Sequence, residues 1–398
     1  MKNELTVKIP KGYLFSTVEA AVKKPGRKDV ALIVSECESV MAGMFTTNTV
    51  KAAPVKLDMR RIRTGKGQAI VVNSGNANAC TGERGMLDAK EMAALTGRAL
   101  RLKSSAVYVC STGVIGTPLP MERVGSAIPG LAAALGQGTF QDVAAAIMTT
   151  DTFPKLFSKT VRIGGKDVTI AGVCKGAGMI SPNMATMLCF IITDALIDHG
   201  SLDASLRSAV ATSFNRITID GDMSTNDTVL VMANGMAGNA PITTGTRSYR
   251  VFASALSDVA YTLAAMVARD GEGATKLVEI EVRNALNEGE AERGAFAVAN
   301  SLLVKTAIYG NDANWGRIMA ALGYSGIRMR EDRTDISLNG LRIVSKGLGT
   351  GRDSEANGRL RAKEVKIVID LRMGKGSAKV LTCDMTEDYV KINAEYRT

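Results

Sequence analysis

The chain has little with which to activate a nucleophile in the usual ways. One histidine, His199, serves 398 residues. It follows Asp198 and precedes Gly200, a sequence that reads as an exposed turn, and any Ser-His-Asp or Cys-His site would have to be built on it. The six cysteines (37, 80, 110, 174, 189 and 383) form no CxxC pair and keep no regular spacing. A zinc site is therefore not expected, and the cysteines read as reduced, mostly buried thiols. The N-terminus, MKNELT, lacks the apolar centre of a signal peptide. No run reads as long enough to span a membrane, so a soluble, cytoplasmic protein without metal or cofactor is the expectation. Neither a P-loop nor a dinucleotide fingerprint is present. Aromatics make up only 5% of the chain. The net charge of +10 is scattered, apart from RRIRTGK at 60–66, which has no aromatic beside it. Nucleic-acid binding would call for a basic stripe with stacking residues, so these charges read as a solvated face that steers anionic substrates.

What the chain does have is glycine, 40 residues of it, and a steady alternation of strand and helix patterns. The length implies more than one core. Residues 29–35 (DVALIVS) and 68–73 (QAIVVN) read as buried strands, the second running into a turn-rich loop at 73–82. A helix is expected over 84–102, a short strand over 106–110, and an irregular loop over 111–120, STGVIGTPLP. Two alanine-rich helices follow, up to about Met148. Residues 158–173 read as a hairpin around Gly164-Gly165. The run 187–192 reads as a central strand. Helices are expected over 202–215 and through Phe252, Leu256, Val259, Leu263 and Met266. Two more are expected near 290–308 and 315–322, then strands at 365–371 and 379–383. The polar region 347–358 reads as an exposed loop.

The most informative stretch is KGAGMISPNMATML, residues 175–188. A glycine-rich run ends in Ala185 and Thr186, and an apolar segment follows at once. That order suits a chain that cuts itself before Thr186. An N-terminal threonine carries its own base, because an α-amine with an unperturbed pKa of about 7.7–8.0 can take the proton from the hydroxyl. No histidine is then required. Three other features fit acyl transfer: Thr112-Gly113 as oxyanion donors, Lys175 for a carboxylate, and Glu272 between two glycines in DGEGATK (270–276). Spacing alone leaves a plain alternative open for each: a strand-edge threonine, a strand-to-loop turn, a solvated lysine and a helix-ending turn.

Ordered matches decide among these. TTNT (46–49), NSGNANA (73–79), STGVIG (111–116), MTTDTFPK (148–155), 175–188, NRIT (215–218), DGDMSTNDT (220–228), DGEGATK, GNDANWGR (310–317) and the end of the chain, 393–398, closely resemble the ornithine acetyltransferase family, the glutamate N-acetyltransferases of arginine biosynthesis. The resemblance runs from about Gly12 to Thr398. It implies an α/β (α+β) fold: an αββα-type layered sandwich with two sheets, similar to the N-terminal-nucleophile hydrolases but distinct from them. It implies self-cleavage between Ala185 and Thr186 into an α chain, 1–185, and a β chain, 186–398, which includes a C-terminal α/β lobe. Two copies of each would form an α2β2 heterotetramer. Thr186 would be the nucleophile, and Thr112 and Gly113 the oxyanion hole. Substrate contacts would fall on Thr152, Lys175, Thr186, Glu272, Asn393 and Thr398, with Thr149 and Thr150 close to Thr152 in the same motif. The implied reaction is ping-pong transfer of the acetyl group of N2-acetyl-L-ornithine to L-glutamate, with acetyl-CoA as a possible second donor. It needs no metal or cofactor and involves neither nucleic acid nor membrane. One departure is FSTVEAAVKK (15–24), where the family has a Gly/Ala-rich segment. Two alternatives stand beside this reading: a threonine- or serine-nucleophile aminopeptidase or amidase of similar layered fold, and a non-catalytic basic binding protein.

Overall fold

The structure, a computed structural model, describes residues 7–181 and 187–395. Its first eight strands are β1 (Tyr13–Val18), β2 (Val30–Phe45), β3 (Lys66–Asn76), β4 (Val107–Val114), β5 (Lys155–Ile163), β6 (Lys166–Lys175), β7 (Leu188–Thr193) and β8 (Thr228–Ala233). They form one sheet in the order β4-β3-β2-β8-β7-β6-β5, with β1 also paired to β2. The long strand β2 serves both halves. Val30–Val34 pair with β3 and Val40–Phe45 pair with β8, with a register shift between the two stretches.

Because side chains alternate across a strand, consecutive residues enter different layers. Ile33, Ile70 and Tyr108 meet Val173, Phe190 and Leu230 between the two halves of the sheet. Their neighbours Leu32, Val71 and Val109 pack outward against Met92 and Val124, on the helices Gly82–Leu100 and Met121–Ala133. On the other side Ile170, Cys189 and Val231 pack with Leu206 and Val259, on the helices His199–Ala211 and Arg247–Arg269. The stack is helix, sheet, sheet, helix, as the resemblance implied. The two inner layers are halves of a single sheet folded through β2.

The second sheet belongs to the C-terminal lobe. Its strands are β9 (Leu277–Ala285), β10 (Asp335–Leu338), β11 (Leu341–Ser345), β12 (Leu348–Gly349), β13 (Glu364–Asp370) and β14 (Gly376–Cys383), in the order β12-β11-β10-β13-β9-β14. It has its own core, in which Ile280, Val298 and Ile367 pack together.

Local signals explain most of the elements. The β5–β6 hairpin turns at Gly164 and Gly165, with φ of 56° and 79°, the left-handed pair that glycine adopts without strain. Thr246 caps the helix Arg247–Arg269 by accepting the Tyr249 N–H at 3.1 Å. An 18-residue stretch of that 23-residue helix has a mean hydropathy of 1.6, enough by length and composition to cross a membrane, so the expectation that no run reached that length is corrected. Phe252, Leu256, Val259 and Leu263 are fully buried in the core, which identifies it as a core helix of the sandwich. The stretch read as one helix over 290–308 is two, Glu288–Asn300 and Leu302–Tyr309. They are separated by Ser301, whose hydroxyl caps the second. The region read as a loop at 347–358 contains β12 and the short helix Asp353–Arg359.

Candidate active site

Strand ends from the sandwich converge on one cavity of about 120 Å3, lined by Thr112, Gly113, Lys175, Glu272 and Asn393 among others. These five come from segments far apart in sequence. Thr112 and Gly113 are at the end of β4, which continues past Cys110 because it pairs in parallel with β3 as far as Gly75 and Asn76. The loop expected from residue 111 therefore begins only after Val114. Asn226 braces this end, its amide donating to the carbonyls of Ala77 at 2.7 Å and Ser111 at 2.8 Å. Gly113 has φ 133°, and a Cβ there would lie 2.2 Å from the Gly75 carbonyl carbon. Only glycine lets the two backbones approach this closely.

Lys175 ends β6, opposite Leu188 of β7. It is 3% exposed. Burial pushes its pKa down; the nearby Asp151 carboxylate opposes this, and the Lys155 ammonium adds to it. Glu272 sits in the turn after the helix Arg247–Arg269. Its N–H donates to the Ala177 carbonyl at 2.8 Å, which ties the turn to the glycine-rich run. The helix Glu387–Glu395 brings Asn393 to it, Nδ2 donating to Glu272 Oε2 at 2.8 Å. Thr386 fastens the start of that helix, its hydroxyl donating to the Gly273 carbonyl at 2.7 Å.

Thr152 does not line the cavity. Its N–H donates to Asp270 Oδ2 at 3.0 Å and its hydroxyl also bonds Asp270, while Thr149 and Thr150 form the cavity wall. Ala185, Thr186 and Thr398 lie outside the described residues. His199 starts a helix and bonds the Met41 carbonyl through Nδ1 at 3.1 Å; it is not part of the cavity wall.

The structure adds residues to which no role had been given. Asp220 lines the cavity and accepts the N–H groups of Met179 at 2.7 Å and Ile180 at 2.9 Å. Burial raises its pKa, against the pull of the N–H groups of Asp222, Met179 and Ile180. Asp227 is fully buried and accepts the N–H of Met187, the residue after Thr186, at 2.9 Å. Its pKa is pushed well up by burial, with the Met187 N–H and Lys175 acting the other way. Both belong to DGDMSTNDT. The signal for them was three aspartates among turn formers ahead of an apolar run. Thr46 of TTNT holds the same segment, its hydroxyl donating to the Ser224 carbonyl at 2.9 Å.

Donors at a strand end, a lysine of lowered pKa and a carboxylate–amide pair facing one cavity make a site suited to acyl transfer on a small charged substrate. The ArgJ family model matches residues 14–398. The chain belongs to the ArgJ family. Among relatives of the ArgJ family, the arginine biosynthesis bifunctional protein ArgJ of Geobacter sulfurreducens is 55% identical over 390 residues, covering 98% of this chain and 99% of its own length. That of Symbiobacterium thermophilum is 52% identical over 395 residues, with 98% of each chain covered. A crystal structure of the Bacillus halodurans protein matches with a TM-score of 0.51 and 47% identity, over 52% of this chain and 98% of that one. An enzyme of arginine biosynthesis that acts on small molecules is the role that goes with the ArgJ family.

Proposed function

We propose that the chain matures by cutting itself between Ala185 and Thr186 and then transfers the acetyl group of N2-acetyl-L-ornithine to L-glutamate. The observation that carries this reading is the meeting of Thr112, Gly113, Lys175, Glu272 and Asn393 around one cavity. It lies beside the strand pair Lys175–Leu188 that flanks the cleavage motif. The half-length match supports it as well. The Geobacter and Symbiobacterium relatives align over nearly their whole length, yet the crystallised Bacillus halodurans chain corresponds to about half of this one, as a protein cut near its middle would yield.

In the cut, the Thr186 hydroxyl attacks the Ala185 carbonyl and the peptide passes to an ester. Water then releases the Ala185 carboxylate and leaves a free α-amine on Thr186. In transfer, that amine takes the hydroxyl proton as Oγ attacks the acetyl carbonyl. Thr112 and the Gly113 N–H stabilise the oxyanion. The C–N bond breaks, the proton passes to the leaving amine, and ornithine departs from acetyl-Thr186. The α-amine of glutamate then attacks the ester and regenerates the hydroxyl. Lys175 pairs with a substrate carboxylate, and Glu272, oriented by Asn393, takes the ornithine ammonium. Thr398 adds a hydroxyl for the same polar ligand, and Thr152 acts behind Thr149 and Thr150 through Asp270. The two chains, 1–185 and 186–398, stay together in an α2β2 assembly in the cytoplasm. The word bifunctional in the relatives' names supports acetyl-CoA as a second acetyl donor to the same threonine.

The test is the identity of the acceptor. Incubated with acetylornithine and glutamate, the protein should form ornithine and N-acetylglutamate in equal amounts. Acetate released in place of N-acetylglutamate would assign the chain to the amidase alternative.

Its pH dependence follows from two groups. The α-amine must be unprotonated, so kcat/KM should rise through about pH 7.7–8.0. Lys175 must be protonated to hold a carboxylate, so activity should fall as pH rises through its lowered pKa, below the ordinary lysine value of about 10.4. Lys175→Arg should move the alkaline limb out of the accessible range, because guanidinium stays charged. An unmoved limb would belong to another group.

A further inference from the structure

Behind the cavity wall is a buried charge cluster whose lysine has no part in the reaction proposed above. Lys155, at the start of β5, is fully buried. Its ammonium donates to Asp151 Oδ1 at 2.6 Å and to Asp270 Oδ2, and lies 4.9 Å from the centre of the Phe153 ring. Each carboxylate also holds a piece of the site. Asp151 Oδ1 accepts the Gly176 N–H at 2.7 Å, next to Lys175, and Oδ2 accepts the Thr149 N–H at 2.9 Å. Asp270 stands two residues before Glu272 and accepts the Thr152 N–H. None of Lys155, Asp151 and Asp270 lines the cavity.

Charge balance shows what the cluster does. Asp151 is held at about pKa 2: burial pushes it up, and the Lys175 and Lys155 ammoniums override that. Lys175 and Lys155 thus compete for one carboxylate. Among the described residues, the ion pairs of Asp151 and Asp270 are made by Lys155 and not by Lys175. With Lys155 in place, two buried lysines face two buried carboxylates. Lys175, unlike Lys155, lines the cavity, where its ammonium can meet a substrate carboxylate.

We propose that Lys155 is a positioning residue for substrate binding, occupying Asp151 so that the cationic Lys175 stays available to the substrate carboxylate. The same ion cluster fixes the span between the Lys175 and Glu272 segments. Without it, Asp151 captures Lys175, and the cavity loses its anion-binding pole while keeping its oxyanion donors. Substrate affinity then falls more than the rate of chemistry. This inference rests on the transferase reading above, and the wild-type acceptor assay tests that reading separately.

The experiment compares Lys155→Met with the double variant Lys155→Met/Asp270→Asn in the full-length, self-processed protein. The double variant matters because it removes one charge of each sign and leaves the buried cluster neutral. It should melt near the wild-type temperature. Its KM for both acetylornithine and glutamate should rise about tenfold, with kcat changed less than about threefold. The alkaline limb of kcat/KM should move to higher pH. Lys175 is faced by Asp151, Lys155, Glu272 and Asp227, and removing the one like charge among them makes its proton harder to lose. A folded double variant with wild-type KM and an unmoved alkaline limb would overturn the proposal. A double variant that fails to fold despite its balanced charge would also overturn it, because Lys155 would then be a stability element alone.

Discussion

Thr186→Ala should leave the protein as one 42.0 kDa chain and remove acetyl transfer, by a factor on the order of 10^6 in kcat if the loss matches that of a hydrolase deprived of its nucleophile. Both effects come from one atom, because the hydroxyl that attacks Ala185 is the one that later carries the acetyl group. Intact-mass analysis under denaturing conditions reads the first effect, and single-turnover acetylation the second. Wild-type protein should give two masses, the second beginning at Thr186. The surrounding fold should be indifferent to the change. Met187 is held by Asp227 and by the Thr228 N–H, which donates to its carbonyl at 3.1 Å, and these contacts use backbone groups of residue 187. Thr186→Ser should keep a hydroxyl and an α-amine and so retain some cleavage and some transfer. A wild-type chain that stays uncut but is fully active would remove the amine as the base, since an internal threonine has none.

The second large effect is expected at the oxyanion donors. Thr112→Ala should lower kcat about 100–1000-fold, with a small change in KM, because the hydroxyl acts on charge that develops only in the transition state. Its melting temperature should stay near wild type, since Thr112 forms part of a cavity wall. Gly113→Ala should lose at least as much activity for a different reason. The new Cβ would meet the Gly75 carbonyl carbon at 2.2 Å and the Asn76 nitrogen at 2.5 Å, and the backbone already holds a φ that disfavours side chains. β3 and β4 would have to part, so the melting temperature should fall along with activity. A Thr112→Ala protein within about threefold of wild-type kcat would place the stabilising donors elsewhere on the cavity wall, with the Thr149 and Thr150 hydroxyls the next groups to test.

Much of the secondary structure could be read from the sequence, for reasons that act within a few residues. The Gly164-Gly165 turn, the capped helix after Thr246 and the apolar run that became β7 carry their conformational preferences locally. The strand end at Thr112-Gly113 did not. A glycine-rich segment has little intrinsic strand preference, and it is extended here because β3 lies alongside it. The split at Ser301 and the short helix at 353–359 were missed for a similar reason, since element ends depend on caps and neighbours more than on hydrophobic period.

The site divides along the same line. By itself the sequence determined the scarcity of histidine, the Ala185-Thr186 junction and the ordered motifs that pointed to the family. These are properties of residue type and order, which folding does not alter. The tertiary structure decided which of those motifs share a cavity. It brought Thr112 and Gly113 from β4, Lys175 from β6, Glu272 from a helix-ending turn and Asn393 from the helix Glu387–Glu395 into one wall. It placed Thr149 and Thr150 in that wall and tied Thr152 to Asp270 behind it. Only the structure showed that a fully buried Lys155 stands between the two carboxylates. The physical reason is that burial and pairing of charge depend on long-range packing: a lysine in sequence is a flexible cation, and the layers closed over it determine whether it faces solvent, substrate or another side chain.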